Sequence, residues 1–438
     1  MKKYWKVILL IGLFIVTVTY TYYVRPIVDD ELFNYGFAKS ILEGLVPYND
    51  FNMIIPPLFS YLLALVLAIL GKKLIVYHFV IALIIVFITW LSYKKIGKNA
   101  LIIYFLLLVY PYTGYNMFCL FLYFILLSIQ DKKYAGLIEP ILISMMILTK
   151  QTLGLLMIPS LIYSKNKKKT ISIYLISGCL FLLYLILNNN LFTFLDYCVW
   201  GMFDFTNKNT TSINFLFLIE IVILGGLVWA TIKTKRKDIF FCFLFQIITF
   251  PIVDYVHFII SFIPVVYLGL SEFGKKRYAF LFTSTAVITF FLVLNVFIML
   301  SNDNYLYLTH YKIDNFMKGR VTYRLTSDYV FHVKDFLDQY EDYRSYILGH
   351  FSYLIKLNND LPINKYDLIN NGNMGYHGSE KYLMEIDTYC KENQCIFIMN
   401  DSEATISKTI QTNREILSYV GSNYHKIYSS NVFSVYIN

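Results

Sequence analysis

Long apolar runs fill the first three hundred positions of the chain and then stop. They fall near 7–24, 74–93, 99–114, 115–130, 134–149, 152–164, 170–187, 213–232, 238–253, 258–271 and 278–300. A spanning helix needs roughly 20 mostly apolar residues, so the runs predict about eleven spans, several short enough to be tilted, broken or lining a cavity. The apolar stretch 56–70 opens with Pro56-Pro57 and is short for a span; it reads as a helix lying along the outer leaflet. Beyond 300 the period changes. Ser345-Tyr-Ile-Leu-Gly349 and Cys395-Ile-Phe-Ile-Met399 look like short buried strands, and 328–343 and 379–392 look like amphipathic helices between them. The Asn- and Gly-rich segment 370–375 reads as a turn or loop. The expected fold is mainly α: a polytopic membrane helix bundle over 1–300, followed by a small external α/β domain over 301–438.

Charge orients the bundle. Residues 1–300 hold 25 Lys/Arg against 13 Asp/Glu, whereas 301–438 hold 13 against 16. The basic residues cluster at Lys2/Lys3/Lys6, Lys94/Lys95/Lys98, Lys132/Lys133, Lys165 with Lys167–Lys169, Lys233 with Lys235–Lys237, and Lys275–Arg277. With the N-terminus inside, every cluster lands in the cytoplasm, as the positive-inside bias requires. An odd number of spans then places 301–438 outside. The basic excess therefore serves membrane topology, and no nucleic-acid partner is implied. The N-terminal segment starts like a signal sequence, but the run ends in Thr-Tyr-Tyr-Val-Arg-Pro with no small-residue cleavage site, so a retained first helix is expected. A charged content of only 15% agrees with lipid as the main solvent.

The first external loop, from Arg25 to about Lys73, holds the most unusual chemistry. It opens Arg25-Pro-Ile-Val-Asp29-Asp30-Glu31 and continues through Tyr35, Ala38 and Leu42 at helical spacing to Gly44, which ends the helix. Three carboxylates therefore sit at the N-terminus of an interfacial helix. Taken alone, an acidic run of this kind is most often a solvated loop. Lys150 stands at the outer end of a helix, where the positive-inside bias disfavours a lysine; a snorkelling anchor and a phosphate contact are the two readings. His257 and Asp254 are three residues apart, so they share one helical face and either satisfy each other or serve a substrate. Glu220 lies inside a span, is costly in lipid, and is expected to face the bundle interior.

The order Asp30-Glu31, Tyr35, Ala38, Leu42-Glu-Gly44, Val46-Pro47-Tyr48, Asp50-Phe51, Pro56-Pro57 resembles the first external loop of the GT-C glycosyltransferases. These polytopic enzymes, among them protein mannosyltransferases and the lipid A aminoarabinose transferase, use polyprenyl-phosphate sugars. Leu148-Thr149-Lys150-Gln151-Thr152 and Pro251-Ile-Val-Asp254-Tyr255-Val-His257 resemble two later segments of the same family, and Tyr115-Asn116 is a weaker match. The resemblance covers roughly residues 7–300 and leaves the tail unmatched.

The resemblance implies an inverting transferase of the cytoplasmic membrane's outer face that moves a sugar from a polyprenyl phosphate to a cell-envelope acceptor. Phosphate is a stable leaving group, so one carboxylate acting as base on the acceptor hydroxyl suffices, and single displacement inverts the anomeric centre. Asp30 maps onto the family's base and Glu31 onto its following acidic position, with Asp50 as a rival base or acceptor-positioning group. Lys150 is the expected contact for the donor phosphate, with Arg25 and His257 as weaker candidates; Asp254, Tyr255, Tyr35 and Tyr48 complete the candidate substrate site. No cofactor is expected. The carboxylates could hold a hard cation, but no His/Glu spacing suggests zinc and metal dependence is not expected. The alternative is a transporter or flippase of lipid-linked saccharides, which calls for charges spread through the spans. Cys119, Cys179 and Cys242 read as packing residues within spans and Cys198 as part of an external loop; Cys390 and Cys395 can pair if their compartment oxidises.

Overall fold

A computed structural model of the chain describes residues 4–111, 113–164, 166–203, 215–250, 253–272, 281, 284–285, 287–289, 308–310, 315–348, 352–365, 367, 374–399, 414–430 and 433–438. Most of the 278–300 run, the cluster Lys275–Arg277, and positions 370–373 of the expected turn lie outside these residues.

Helices follow the apolar runs closely. They are α1 (Tyr4–Val18, continued by a wider turn over Thr19–Val24), α2 (Asp29–Leu42), α3 (Leu58–Leu70), α4 (Leu74–Ile96), α5 (Ala100–Val109), α6 (Gly114–Ile129), α7 (Ala135–Ile147), α8 (Gln151–Met157), α9 (Lys167–Leu187) and α10 (Leu191–Leu195). Next come α11 (Phe215–Thr234), α12 (Lys237–Gln246) and α13 (Tyr255–Glu272). Among the described residues, five helical stretches are long and apolar enough to cross a membrane: Trp5–Val24, Leu74–Val109, Lys167–Leu187, Phe215–Thr234 and Tyr255–Glu272. Of the other runs expected to span, 115–130, 134–149 and 152–164 form shorter apolar helices, Gly114–Ile129, Ala135–Ile147 and Gln151–Tyr163. A further short apolar helix, Leu191–Phe203, falls where the sequence suggested only a loop.

The bundle has two chemically distinct ends. At one, charges from separate connections meet: Lys95 and Arg236 both pair with Glu272 (3.4 and 2.7 Å), and Lys237 reaches Glu139 at 2.5 Å. Lys6 of α1 lies over the Tyr93 ring at this same end. At the other end are α2, the start of α6, the α7–α8 turn and the start of α13. Between the ends the interior is largely apolar, and a buried polar group sits within it. There Gln246 donates to Glu220 (2.6 Å) and Ser261 (2.9 Å), and Thr249 bonds Ser261 (2.8 Å). Glu220 is fully buried, so it faces inward as expected.

The C-terminal part contributes a hairpin of β1 (Leu308–His310) and β2 (Val321–Tyr323), then β3 (Arg344–Leu348), β4 (Cys395–Met399), β5 (His425–Ser429) and β6 (Ser434–Ile437). The last four form one mixed sheet in the order β3-β4-β6-β5, with β3 and β4 parallel and the other pairs antiparallel. Helices α14 (Arg324–Gln339), α15 (Ser352–Asn358), α16 (Gly378–Cys390) and α17 (Arg414–Asn423) flank it. Successive strand residues point to opposite faces, and the two faces have different neighbours. Ile347, Ile396, Ile398 and Val435 join the same buried cluster as the first loop and the bundle. Tyr346, Phe397 and Met399 pack instead with Tyr382 and Ile386 of α16 and Val420 of α17. Cys390 and Cys395 are joined by a disulfide.

This part is fastened onto the first loop. Ile27 N–H donates to Val321 O (3.0 Å), Leu74 N–H to Phe316 O (2.8 Å), and the Tyr22 hydroxyl to Lys318 O (2.9 Å). Helix α15 lies directly on α2. A Cβ at Gly36 would meet the Tyr353 ring at 3.0 Å, so the absence of a side chain there permits the close approach.

Candidate active site at the first-loop helix

Helix α2 starts with Asp29, Asp30 and Glu31 in its first turn, where unpaired backbone N–H groups and the helix dipole favour negative charge. It ends at Gly44, whose φ of 89° suits glycine. The three carboxylates nonetheless have different surroundings.

Glu31 is completely buried and its charge is fully engaged. Arg320 approaches its two oxygens at 2.7 and 3.0 Å, and His78 Nε2 lies 3.1 Å away. The Arg320 guanidinium, itself buried, also donates to the carbonyls of Tyr22 (2.9 Å), Arg25 and Pro26. Burial opposes ionisation of Glu31, but Arg320 and His78 outweigh it and hold the carboxyl below its ordinary value.

Asp30 is half-buried and faces the other way, among like charges. Burial first, then Asp29 and Asp254, push its carboxyl up to about 7, with Lys150 pulling against them. Lys150 caps the start of α8. Its ammonium donates to Asn116 Oδ1 at 2.8 Å and lies 5.5 Å from the Tyr115 ring centroid. Burial lowers it to about 8, against the pull of Asp254 and Asp30, so it remains mostly charged at neutral pH. The α7–α8 turn that presents it is tight: a Cβ at Gly154 would collide with the Ile147 backbone. Gln151 holds the next step by donating to Ile54 O (2.8 Å) and Cys198 O (3.1 Å). Asp254 accepts the His257 N–H at 2.7 Å, and His257 Nδ1 sits 2.9 Å from its other oxygen. Although burial opposes ionisation, those contacts keep the Asp254 carboxyl below its ordinary value.

Asp30, Lys150, Asp254 and His257 thus converge from three separate elements. The remaining candidates make other contacts. Arg25 donates to the Val109 and Leu108 carbonyls at the end of α5. Asp50 is exposed and accepts the Val46 N–H (2.6 Å), closing its own turn. Tyr35 and Tyr48 are buried, with hydroxyls donating to Lys72 O and Ile55 O (both 2.8 Å). Tyr255 is exposed beside Asp254. Sequence reasoning missed His78 and Arg320. A lone histidine inside an apolar span was the available hint for the first; nothing local marks the second.

No protein-family model matches the chain, and no curated protein matches it. The fold itself is shared with a solved structure over the whole chain. The apo crystal structure of ArnT from Cupriavidus metallidurans is similar over 100% of this chain and 98% of that one, with a TM-score of 0.59 at 10% identity. The crystal structure of an Archaeoglobus fulgidus oligosaccharyltransferase is similar over 89% of this chain and 67% of that one, but its TM-score of 0.41, at 12% identity, is too low to carry an argument.

Proposed function

We propose that the chain is an inverting glycosyltransferase. It takes a sugar from a polyprenyl phosphate and delivers it to a hydroxyl of a cell-envelope acceptor at the outer face of the cytoplasmic membrane. One observation carries this reading: a half-buried carboxylate, Asp30, raised to about 7 and coupled to Lys150 and Asp254 at the end of the bundle opposite the basic connections. A base poised near the working pH is efficient because it is free to accept a proton yet basic enough to hold it. Asp30 takes the acceptor's hydroxyl proton as that oxygen bonds to the anomeric carbon. The bond from that carbon to the phosphate oxygen breaks, and the polyprenyl phosphate leaves as an anion against the Lys150 ammonium. Asp254, oriented by His257, keeps Lys150 charged and helps raise Asp30. Lys150 supplies among the carboxylates the positive charge that a divalent cation would otherwise bring, so metal-independent turnover belongs to the proposal. Placement of the C-terminal part outside agrees with its Cys390–Cys395 disulfide, since such bonds persist in oxidising compartments. The flippase reading has less support, because most of the paired charges gather at one end of the bundle and the acidic helix at the other.

The test is to reconstitute the purified chain in liposomes with a panel of polyprenyl-phosphate sugars and follow release of the lipid phosphate. Asp30→Asn should lose about 10²–10⁴-fold in turnover while still binding donor, and Asp50→Asn should change little. If Asp50→Asn alone abolishes turnover, the base is Asp50. If neither substitution matters, the glycosyl-transfer reading falls.

A further inference from the structure

At the end of the bundle opposite Asp30, a cleft of about 580 Å³ opens between α1, the last turn of α4 and the start of α5. Its volume lies within the roughly 300–1,000 Å³ typical of ligand sites. Leu9 and Leu13 of α1 and Leu101 of α5 make an apolar slot, and Trp5 and Trp90 stand at its mouth. The rim carries Lys6, Lys94 and Lys98. Lys94 Nζ rests 3.4 Å from the Trp90 ring centroid, and Lys6 Nζ lies 5.4 Å from that of Tyr93.

These lysines differ from their neighbours. Lys95, Arg236 and Lys237 at the same end all have carboxylate partners. Among the described residues, none of Lys6, Lys94 and Lys98 forms an ion pair. Three cations without an ion pair among the described residues, set over an apolar slot, complement a molecule with an anionic head and hydrocarbon tails, and the aromatic mouth suits the headgroup depth of a bilayer. A lysine rim needed only for topology requires neither the cleft beneath it nor three rings or walls converging on one volume. We propose that this cleft binds an anionic diacyl phospholipid, with the headgroup phosphate among Lys6, Lys94 and Lys98 and an acyl chain along Leu9, Leu13 and Leu101. The site is remote from the acidic loop and independent of the reaction assigned there.

Trp90 is the natural reporter. The full chain, with Trp5, Trp200 and Trp229 replaced by Phe, is reconstituted in phosphatidylcholine vesicles doped with brominated phosphatidylglycerol or, in parallel, brominated phosphatidylcholine. Quenching of Trp90 should half-saturate at a mole fraction of the anionic lipid at least about tenfold lower than that of the zwitterionic one. Lys6→Ser and Lys98→Ser should each reduce this preference about fivefold, the worth of one basic side chain near an anionic lipid surface. Lys6→Arg and Lys98→Arg should keep it, which separates loss of charge from misfolding. The preference should also shrink between 0.1 and 1 M salt, roughly a threefold fall in screening length. Equal quenching by the two lipids, or a preference indifferent to both lysines, overturns the proposal and leaves the cleft filled by whatever lipid surrounds the protein.

Discussion

Arg320→Met is the substitution whose effect the structure constrains most tightly. Arg320 is 1% exposed and Glu31 0% exposed, and the guanidinium carries both carboxylate bonds and the bonds to three main-chain carbonyls. Removing it strands a charge in a dry site; breaking a buried pair in this way costs about 3–5 kcal/mol. His78 remains 3.1 Å from Glu31 and offsets part of the loss, so about 3 kcal/mol is the expected destabilisation. Replacing both partners, Glu31→Gln with Arg320→Met, leaves no stranded charge and should recover at least half of that. Unfolding in mixed micelles of a mild detergent and dodecyl sulfate, read by near-ultraviolet circular dichroism, measures both variants. Acid titration gives a second reading with a fixed sign. Glu31 is held below its ordinary value, so its stabilisation is complete above the unfolded value of about 4.3 and is lost as pH falls through the folded value. Glu31→Gln should lack that acid-labile component. A loss under about 1 kcal/mol for Arg320→Met, or a double variant less stable than the single one, refutes the argument that this pair anchors the first loop.

Two further outcomes follow from the Asp30 environment. The acidic limb of the kcat/KM profile should fall near pH 7, with activity rising as Asp30 ionises. Asp29→Asn removes a like charge and should move that limb to lower pH, whereas Lys150→Met should move it higher; a limb that stays put in both excludes Asp30 as the titrating base. Lys150→Ala should weaken donor affinity by about 10-fold or more, the loss of one charge-assisted contact, and Lys150→Arg should restore only part because its planar fork does not match the Asn116 contact. Unchanged donor affinity in Lys150→Ala, measured by competition with polyprenyl phosphate, reduces the lysine to an interfacial anchor.

Much of the fold was legible because hydrophobic period and chain punctuation are local signals. The runs at 74–93 and 170–187 became α4 and α9 with boundaries shifted by only a few residues, and Gly44 ended α2 as its turn chemistry required. Strands β3 and β4 also announced themselves as short apolar bursts. The candidate site was legible to the extent that its residues sit in odd places, as Lys150 does at the end of the bundle away from the basic clusters. What the sequence hid is long-range. Asp30 and Glu31 are adjacent and chemically alike, and only a partner 289 residues away distinguishes a buried, neutralised carboxylate from one left among like charges. Tyr35 and Tyr48 show the same limit: a conspicuous tyrosine in the acidic loop proves to be bonded to a carbonyl of the loop's own segment.

The tie between Glu31 and Arg320 also sets an order of events during synthesis. Helix α1 and the acidic loop leave the ribosome early, but Arg320 is made 289 residues after Glu31. Until then the loop has neither its guanidinium nor the strand residue Val321 that pairs with Ile27. At a translation rate of about 5–20 residues per second, the interval is on the order of 15–60 seconds. Throughout it, Glu31 must stay hydrated or lean on His78 alone, and α2 still lacks the α15 helix that packs on it at Gly36. The acidic loop is therefore among the first segments to be made and among the last to mature, and a ribosome stalled before position 320 leaves an inserted bundle whose acidic loop is still unlocked.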